Sequence, residues 1–279
     1  MSTIAVLGTG LLGAGFAQRM LGLGHTVRVW NRTAERCAPL VNDGATLAPT
    51  PADAVRGADY VHLILSADRA VDSVIEQLRP GLPAGTPILD HSTNLPAGVA
   101  ERFSRLREDA VRYLHAPVFM GPRNSREGTG LMLIAGPQAE TEALTAYLST
   151  LTGTVQNLGE RPDKAAAVKI IGNSVLLMLT ATMSDAFAVG NATGVTPEEI
   201  VEFFKTFSPT PGGMGRRVLS SESAPVGFEA TMARKDAGLM IDSAGAENLL
   251  LLPAIAAAMD AGIAAGRGKE DFTALFRPA

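Results

Sequence analysis

Lys169 and Asn173 stand four residues apart in the run Ala165-Ala166-Ala167-Val168-Lys169-Ile170-Ile171-Gly172-Asn173. On a helix that spacing puts both side chains on one face, with Gly172 beside them. The rest of the run is apolar, so two polar groups on it point at something shared, and the glycine leaves room for a ligand. A lysine held in a dry cleft can act as a general acid or base. A lysine on the exposed first turns of a helix, with the asparagine bonded to nearby backbone, fits the same residues and is the commoner arrangement.

A second group lies in Asp90-His91-Ser92-Thr93. These residues hold the types of a hydrolytic triad but not its geometry, because neighbours on a strand point to alternate faces. Ser92 and Thr93 read better as hydroxyl donors at a cleft mouth. His91 and His115 read as structural histidines, and with His25 and His62 on other strands no His/Asp/Glu cluster has metal spacing. Lys235-Asp236 lies inside a helical stretch, either as a solvated face or as a second cation closing over a ligand.

These groups need a scaffold, and residues 3–33 supply its start. Thr3-Ile4-Ala5-Val6-Leu7 is a short apolar run, Gly8-Thr9-Gly10-Leu11-Leu12-Gly13 has the G-x-G-x-x-G spacing, and a helical run and second apolar run to Trp30 follow. Strand, glycine turn, helix and strand make a βαβ unit. Gly8 allows the tight turn, Gly10 lets backbone approach a pyrophosphate, and Gly13 lets helix pack on strand. The helix N-terminus offers N–H groups and partial positive charge to phosphates. The second strand exits into Asn31-Arg32-Thr33, where an NAD site would place Asp or Glu on the ribose 2′-hydroxyl. An amide, a guanidinium and a hydroxyl suit a 2′-phosphate better, which favours NADP over NAD.

Residues 59–65, 87–90, 111–114, 131–136 and 154–157 read as further strands, alternating with helices over 72–78, 97–108 and 138–151. Leu65 and Ser66 fall at the C-terminal edge of the first of these, where ligands bind in open α/β sheets. Strand signals stop near residue 160. A helix from about 161 to 190 would be about 40 Å long. Thr196-Pro197-Glu198-Glu199 is a capping box that opens the next helix. Residues 209–215 read as a loop, and helices follow over 228–244 and 246–265, the latter interrupted by Pro253. The expected organisation is a doubly wound, mostly parallel α/β domain over 1–161, carrying NADP. A long helix joins it to an all-α domain over 162–279 for substrate and dimerisation.

Composition narrows the class. Of 279 residues 46% are hydrophobic and 19% charged, which suits a globular protein with a large core. A net charge of −4 without a basic stripe argues against nucleic acid. The single cysteine, Cys37, excludes an internal disulfide and fits a reducing compartment. No secretory signal is read at the N-terminus, and the longest apolar run, near residues 175–182, falls short of a membrane span. A cytoplasmic protein is expected.

In order along the whole chain these features resemble the β-hydroxyacid dehydrogenases, the group that includes 3-hydroxyisobutyrate dehydrogenase and the glyoxylate/succinic semialdehyde reductases. The carriers are the Gly8–Gly13 loop, Gly24-His25-Thr26-Val27 through Trp30-Asn31-Arg32-Thr33, and Asp90 through Pro96. His115-Ala116-Pro117-Val118, Lys169 with Asn173, and Lys235-Asp236 complete the set. The resemblance implies Thr93 near the nicotinamide, Lys169 and Asn173 as catalytic lysine and asparagine, and cofactor contact by Lys235. It reverses the commoner reading of Lys169. One departure follows Val118: where the family usually has a serine and two glycines that hold a substrate carboxylate, this chain has Phe119-Met120-Gly121-Pro122. That pocket should be more apolar.

The expected activity is hydride transfer between NADP and a small carbonyl or 3-hydroxy acid substrate. Lys169 serves as general acid/base, Asn173 holds it or the substrate, and Ser92, Phe119, Met120 and Gly121 are the remaining substrate contacts. No metal, nucleic acid or membrane partner is expected, and a homodimer or higher homo-oligomer is. Alternatives are an imine reductase, whose group usually lacks a lysine at the position of Lys169, and a non-catalytic NADP-binding sensor. A 6-phosphogluconate-type decarboxylase would need an anion pocket, for which Arg216-Arg217 is too little.

Overall fold

The structure, a computed structural model, describes residues 1–277. The chain divides into two compact units, Met1–Lys169 and one from Ile170 onward. The first unit contains β1 (Thr3–Leu7), α1 (Leu11–Gly22), β2 (Thr26–Trp30), α2 (Ala38–Asn42), β3 (Thr46–Leu47), α3 (Pro51–Val55), β4 (Tyr60–Leu63) and α4 (Asp68–Leu78). It continues through β5 (Ile88–Asp90), α5 (Pro96–Glu108), β6 (Tyr113–His115), β7 (Val118–Phe119), α6 (Pro122–Glu127), β8 (Leu131–Ile134), α7 (Gln138–Leu148) and β9 (Thr154–Asn157). Helix α8 (Lys164–Thr193) begins in this unit and continues into the second, which adds α9 (Pro197–Phe207), α10 (Pro209–Leu219), α11 (Ala230–Ala244) and α12 (Leu252–Gly262).

Six strands form an all-parallel sheet in the order β3-β2-β1-β4-β5-β6. This is the doubly wound arrangement, reversing between β1 and β4, where ligands bind beyond the strand ends. Ile4, Ala5, Val6 and Leu7 of the central β1 are all fully buried, as a strand covered on both faces requires. Each large aliphatic buried this way contributes about 1.5–3 kcal/mol. A second, three-stranded sheet, β7-β8-β9, was not separated from the first by the sequence pattern; β7 runs antiparallel to β8, and β9 parallel.

The contacts divide the chain a little later than the expected boundary after residue 161. The cause is local: Ala165 and Val168, on the first turns of α8, pack with Leu131, Leu133 and Ala135 of the small sheet.

Three expectations are corrected. Residues 209–215 are not a loop but the start of α10, because Pro209 and Pro211 occupy its first turn, where a missing N–H costs nothing. Its glycines serve close packing: a Cβ on Gly215 would lie 2.8 Å from Met183 Cε, and one on Gly212 would lie 2.8 Å from Phe204 Cβ. Pro253 starts α12 rather than interrupting a longer helix. Finally, α8 is, by length and composition alone, long and apolar enough to cross a membrane. Its best 18-residue window has mean hydropathy 1.6 and is 39% buried. The unbroken run at residues 175–182 understated this, because small residues link its apolar clusters into one window.

Candidate active site

The glycine loop between β1 and α1 has a distinct reason for each glycine. Gly8 has φ +102°, and a Cβ there would lie 2.1 Å from the Ile64 carbonyl oxygen. A Cβ on Gly13 would lie 2.0 Å from the Gly8 oxygen, so α1 docks directly on the loop backbone. Around Gly10 there is nothing within 4 Å of such a Cβ. Gly10 is also the N-cap of α1, with Leu11 about half exposed, so the helix start presents its amides to open space. A dinucleotide pyrophosphate needs that combination of close backbone approach and unpaired helix N–H groups, and this loop fits it. Leu12 is half-buried against the first unit's core.

The loop is tied to the exit of β2. Gly8 N–H donates to the Trp30 carbonyl at 2.8 Å, and Thr9 N–H donates to Asn31 Oδ1 at 3.2 Å. Asn31 Nδ2 donates to the Thr33 carbonyl at 2.8 Å. Asn31 thus holds loop to loop, while Arg32 and Thr33 stay exposed beside it. Cys37 is buried with Sγ 3.5 Å from Thr9 Oγ1.

At the ends of β4 and β5 the backbone is cross-braced. Leu65 N–H donates to Ser92 Oγ at 2.9 Å, Ser92 N–H donates to Asp90 Oδ1 at 2.9 Å, and His115 Nε2–H donates to the Ser92 carbonyl at 2.8 Å. Ser92 is buried, and its hydroxyl oxygen is an acceptor in this brace. Asn94 Nδ2 donates to Asp90 Oδ2 at 2.7 Å, so the Ser92 backbone and the Asn94 side chain, on either side of Thr93, are tied to one carboxylate. Asp90 is itself held by Tyr113 Oη at 2.8 Å and lies 4.0 Å from the buried Arg102 guanidinium. Ser66 is exposed at this rim.

Asp90, His91 and Ser92 form no relay. The Ala116 carbonyl can only accept, so His91 Nδ1 carries a proton toward it at 2.6 Å. His91 Nε2 then accepts from His62 Nδ1 at 2.8 Å, and His62 Nε2 accepts from Tyr147 Oη at 2.8 Å. Burial disfavours the cations: His91 is lowered to about 4, and His62 and His115 are lowered too.

Beyond Ala116 the chain enters β7. Lys169 is 8% exposed, and its ammonium sits 4.3 Å from the centre of the Phe119 ring, a cation–π contact. Phe119 packs against the buried cluster of Leu133, Ala135 and Ala165, as do Leu131, Leu158 and Val168. Met120 packs on the first unit's core. Gly121 N–H donates to Asn124 Oδ1 at 3.1 Å, capping α6.

In the second unit, Asn173 Nδ2 donates to Asp236 Oδ2 at 2.8 Å, and Lys235 Nζ lies 2.7 Å from Asp236 Oδ1. Asp236 is 1% exposed. One buried carboxylate therefore anchors both Asn173 and Lys235, a role that the sequence reading did not assign. Its signal was there: an acid next to a lysine on an otherwise buried helix face. Arg217 is engaged with Asp271 at 3.2 Å and stacks over Phe272, so the Arg216-Arg217 pair does not form an anion pocket. Among the described residues no cluster of three or more His, Cys, Asp or Glu side chains could hold a metal ion.

Comparison with known proteins decides what this arrangement belongs to. A family model for the NAD binding domain of 6-phosphogluconate dehydrogenase matches residues 3–159, and one described as the NAD-binding domain of NADP-dependent 3-hydroxyisobutyrate dehydrogenase matches residues 164–279. The chain belongs to the β-hydroxyacid dehydrogenase family. Among its relatives, 3-sulfolactaldehyde reductase of Escherichia coli is 29% identical over 99% of this chain and 95% of that protein. A 3-hydroxyisobutyrate dehydrogenase structure from Salmonella typhimurium has TM-score 0.86 at 21% identity, covering 99% of both chains. An imine reductase from Myxococcus stipitatus in complex with NADP+ has TM-score 0.65 at 23% identity, covering 98% of this chain and 97% of that one. As a β-hydroxyacid dehydrogenase, the protein is an NAD(P)-dependent oxidoreductase of the type acting on CH–OH groups. Helix α8 lies within the second matched segment.

Proposed function

We propose that this β-hydroxyacid dehydrogenase reduces a small carbonyl compound with NADPH, and in reverse oxidises the corresponding alcohol. Lys169 is the general acid/base. The observation that carries this reading is a lysine only 8% exposed whose ammonium is held at 4.3 Å over the Phe119 ring. A solvated surface lysine would be neither buried nor fixed. In the reducing direction Lys169 gives a proton from Nζ to the oxygen of the developing alkoxide, and in the other direction it takes that proton back. Asn173 and Lys235 are set by Asp236, Asn173 for positioning and Lys235 for cofactor contact. Thr93, on the braced turn after β5, faces the nicotinamide side. Bound on this loop, the dinucleotide would supply the hydride that the protein itself lacks.

The cofactor reading supports two variants. Gly10→Ala adds its methyl to open space, so it is expected to leave the Tm unchanged while weakening NADPH binding at least about tenfold, by blocking the pyrophosphate approach. Gly8→Ala, by contrast, meets the Ile64 carbonyl and is expected to cost several kcal/mol of stability. Equal loss of Tm in both variants would contradict the assignment of Gly10.

For the nucleotide choice, Arg32 and Thr33 are exposed beside the loop, and no acid stands at the end of β2 to repel a 2′-phosphate. Arg32→Ala is expected to lower the NADPH-over-NADH preference by about tenfold, the worth of one charge-assisted contact. An unchanged ratio of kcat/KM for the two cofactors would assign the preference elsewhere.

The protein is proposed to work in the cytoplasm as a homodimer. Ile171, Val175 and Val189 of α8 and Phe203 and Phe207 of α9 are exposed large apolar residues of the kind that subunit interfaces cover. NADPH consumption over a panel of aldehydes, ketones and cyclic imines, with NADH alongside, tests the whole reading. Turnover of cyclic imines alone would replace carbonyl reduction with imine reduction.

A further inference from the structure

The loop after β7 has the wrong chemistry for an anion. The side chains of Phe119 and Met120 carry no hydrogen-bond donor. The Gly121 amide is already bonded to Asn124 Oδ1 at 3.1 Å. Pro122 has no N–H, and the Arg123 guanidinium is engaged with Glu127 at 2.7 Å on a side chain 85% exposed. A carboxylate brought against this segment would lose its water and gain neither a side-chain partner nor that amide, and an unpaired buried charge is expensive.

Lys169 could attract such an anion, but only at a cost to its own role. Its ammonium is held at 4.3 Å over the Phe119 ring. An ion pair with a substrate carboxylate would draw the ammonium off the ring and away from the carbonyl oxygen that needs its proton. The ring packs against the buried cluster of Leu133, Ala135 and Ala165, which opposes its moving to make room.

We infer that the substrate is a small aldehyde or ketone without a carboxylate, and that Phe119 sets this selectivity by meeting an apolar substrate body and holding the Lys169 ammonium against its ring. The inference rests on the reading of Lys169 as proton donor. It assigns Phe119 a specificity role rather than a proton-transfer role.

The test uses two four-carbon aldehydes that differ in a terminal carboxylate, butyraldehyde and succinic semialdehyde, each reduced with NADPH by the full-length protein. The wild type is expected to show kcat/KM at least about tenfold higher for butyraldehyde. Phe119→Ser adds a hydroxyl and space, and is expected to cut that ratio at least about tenfold, through a rise on succinic semialdehyde. Phe119→Leu keeps the apolar wall and is expected to hold the ratio within about threefold of wild type while lowering turnover of both. A wild type that prefers succinic semialdehyde, or that reduces neither probe, overturns the inference, as does a ratio unmoved in Phe119→Ser. Lys169→Ala is assayed on the same pair. If it turns over like wild type, the proton-donor reading fails, whereas loss of turnover in Lys169→Ala together with a wild-type preference for succinic semialdehyde fails the selectivity alone.

Discussion

Replacing Lys169 by alanine is expected to lower kcat by about 10²–10⁴, the usual contribution of one positioned general acid. NADPH affinity should stay unchanged, because the glycine loop and the β2 exit that are proposed to hold the dinucleotide do not involve Lys169. The split between kcat and cofactor binding is what separates a proton donor from a residue that merely stabilises the protein. A fluorescence titration with NADPH and a steady-state assay on the best substrate of the panel measure both halves. Lys169→Arg is a useful companion, since it keeps a cation over the Phe119 ring but surrenders its proton far less readily. It should be almost as slow as the alanine variant. Near-wild-type turnover in Lys169→Ala would remove the lysine from the mechanism.

Acidification should destabilise this protein well before its carboxylates titrate. His91 is fully buried and hydrogen-bonded as a neutral ring, with its pKa lowered to about 4 by desolvation. In the unfolded chain it titrates near 6.5. Between those values the unfolded state binds the proton and the folded state does not, so stability is complete above about pH 6.5 and is lost as the pH falls toward 4. From pH 7 to pH 5, His91 alone would remove about 2 kcal/mol. His62 and His115, also lowered by burial, act in the same direction. Urea unfolding at pH 7 and pH 5 would show this as a fall in midpoint with unchanged m. His91→Gln should be weaker at pH 7 but should lose much of the acid dependence. A midpoint that does not move between the two pH values would show that the buried histidines take up protons without cost.

What was legible in the sequence was local. The glycine spacing, the strand before it and the helix after it all act within about thirty residues; Gly8 and Gly13 meet needs that only glycine meets, and Gly10 leaves open space at the helix start. The capping box at Thr196 and Glu199 is equally local, and both bonds form. Residues 209–215 misled because their prolines and glycines signal a loop, whereas tertiary packing against Met183 and Phe204 makes a helix of them. The substrate end was illegible for a related reason. The partners Phe119 and Lys169 come from segments far apart in the chain, and Asn173 meets Asp236 across 63 residues. Ser92 could be placed at a strand end from its sequence context. That its oxygen would be taken by Leu65 could not, because that bond depends on two strand exits lying side by side.

The bracing of those exits has a thermodynamic consequence. Gly8 is bonded to Trp30 and Thr9 to Asn31, which fastens the loop after β1 to the exit of β2, while Leu65 is bonded to Ser92 and Ser92 to His115, which fastens the exits of β4, β5 and β6. A ligand arriving at this rim orders little that is not ordered beforehand. Much of the entropy usually lost when loops close on a cofactor is therefore absent here. Binding at this rim should resemble docking of two rigid bodies, with fast association and a heat-capacity change no larger than the contacted surface explains.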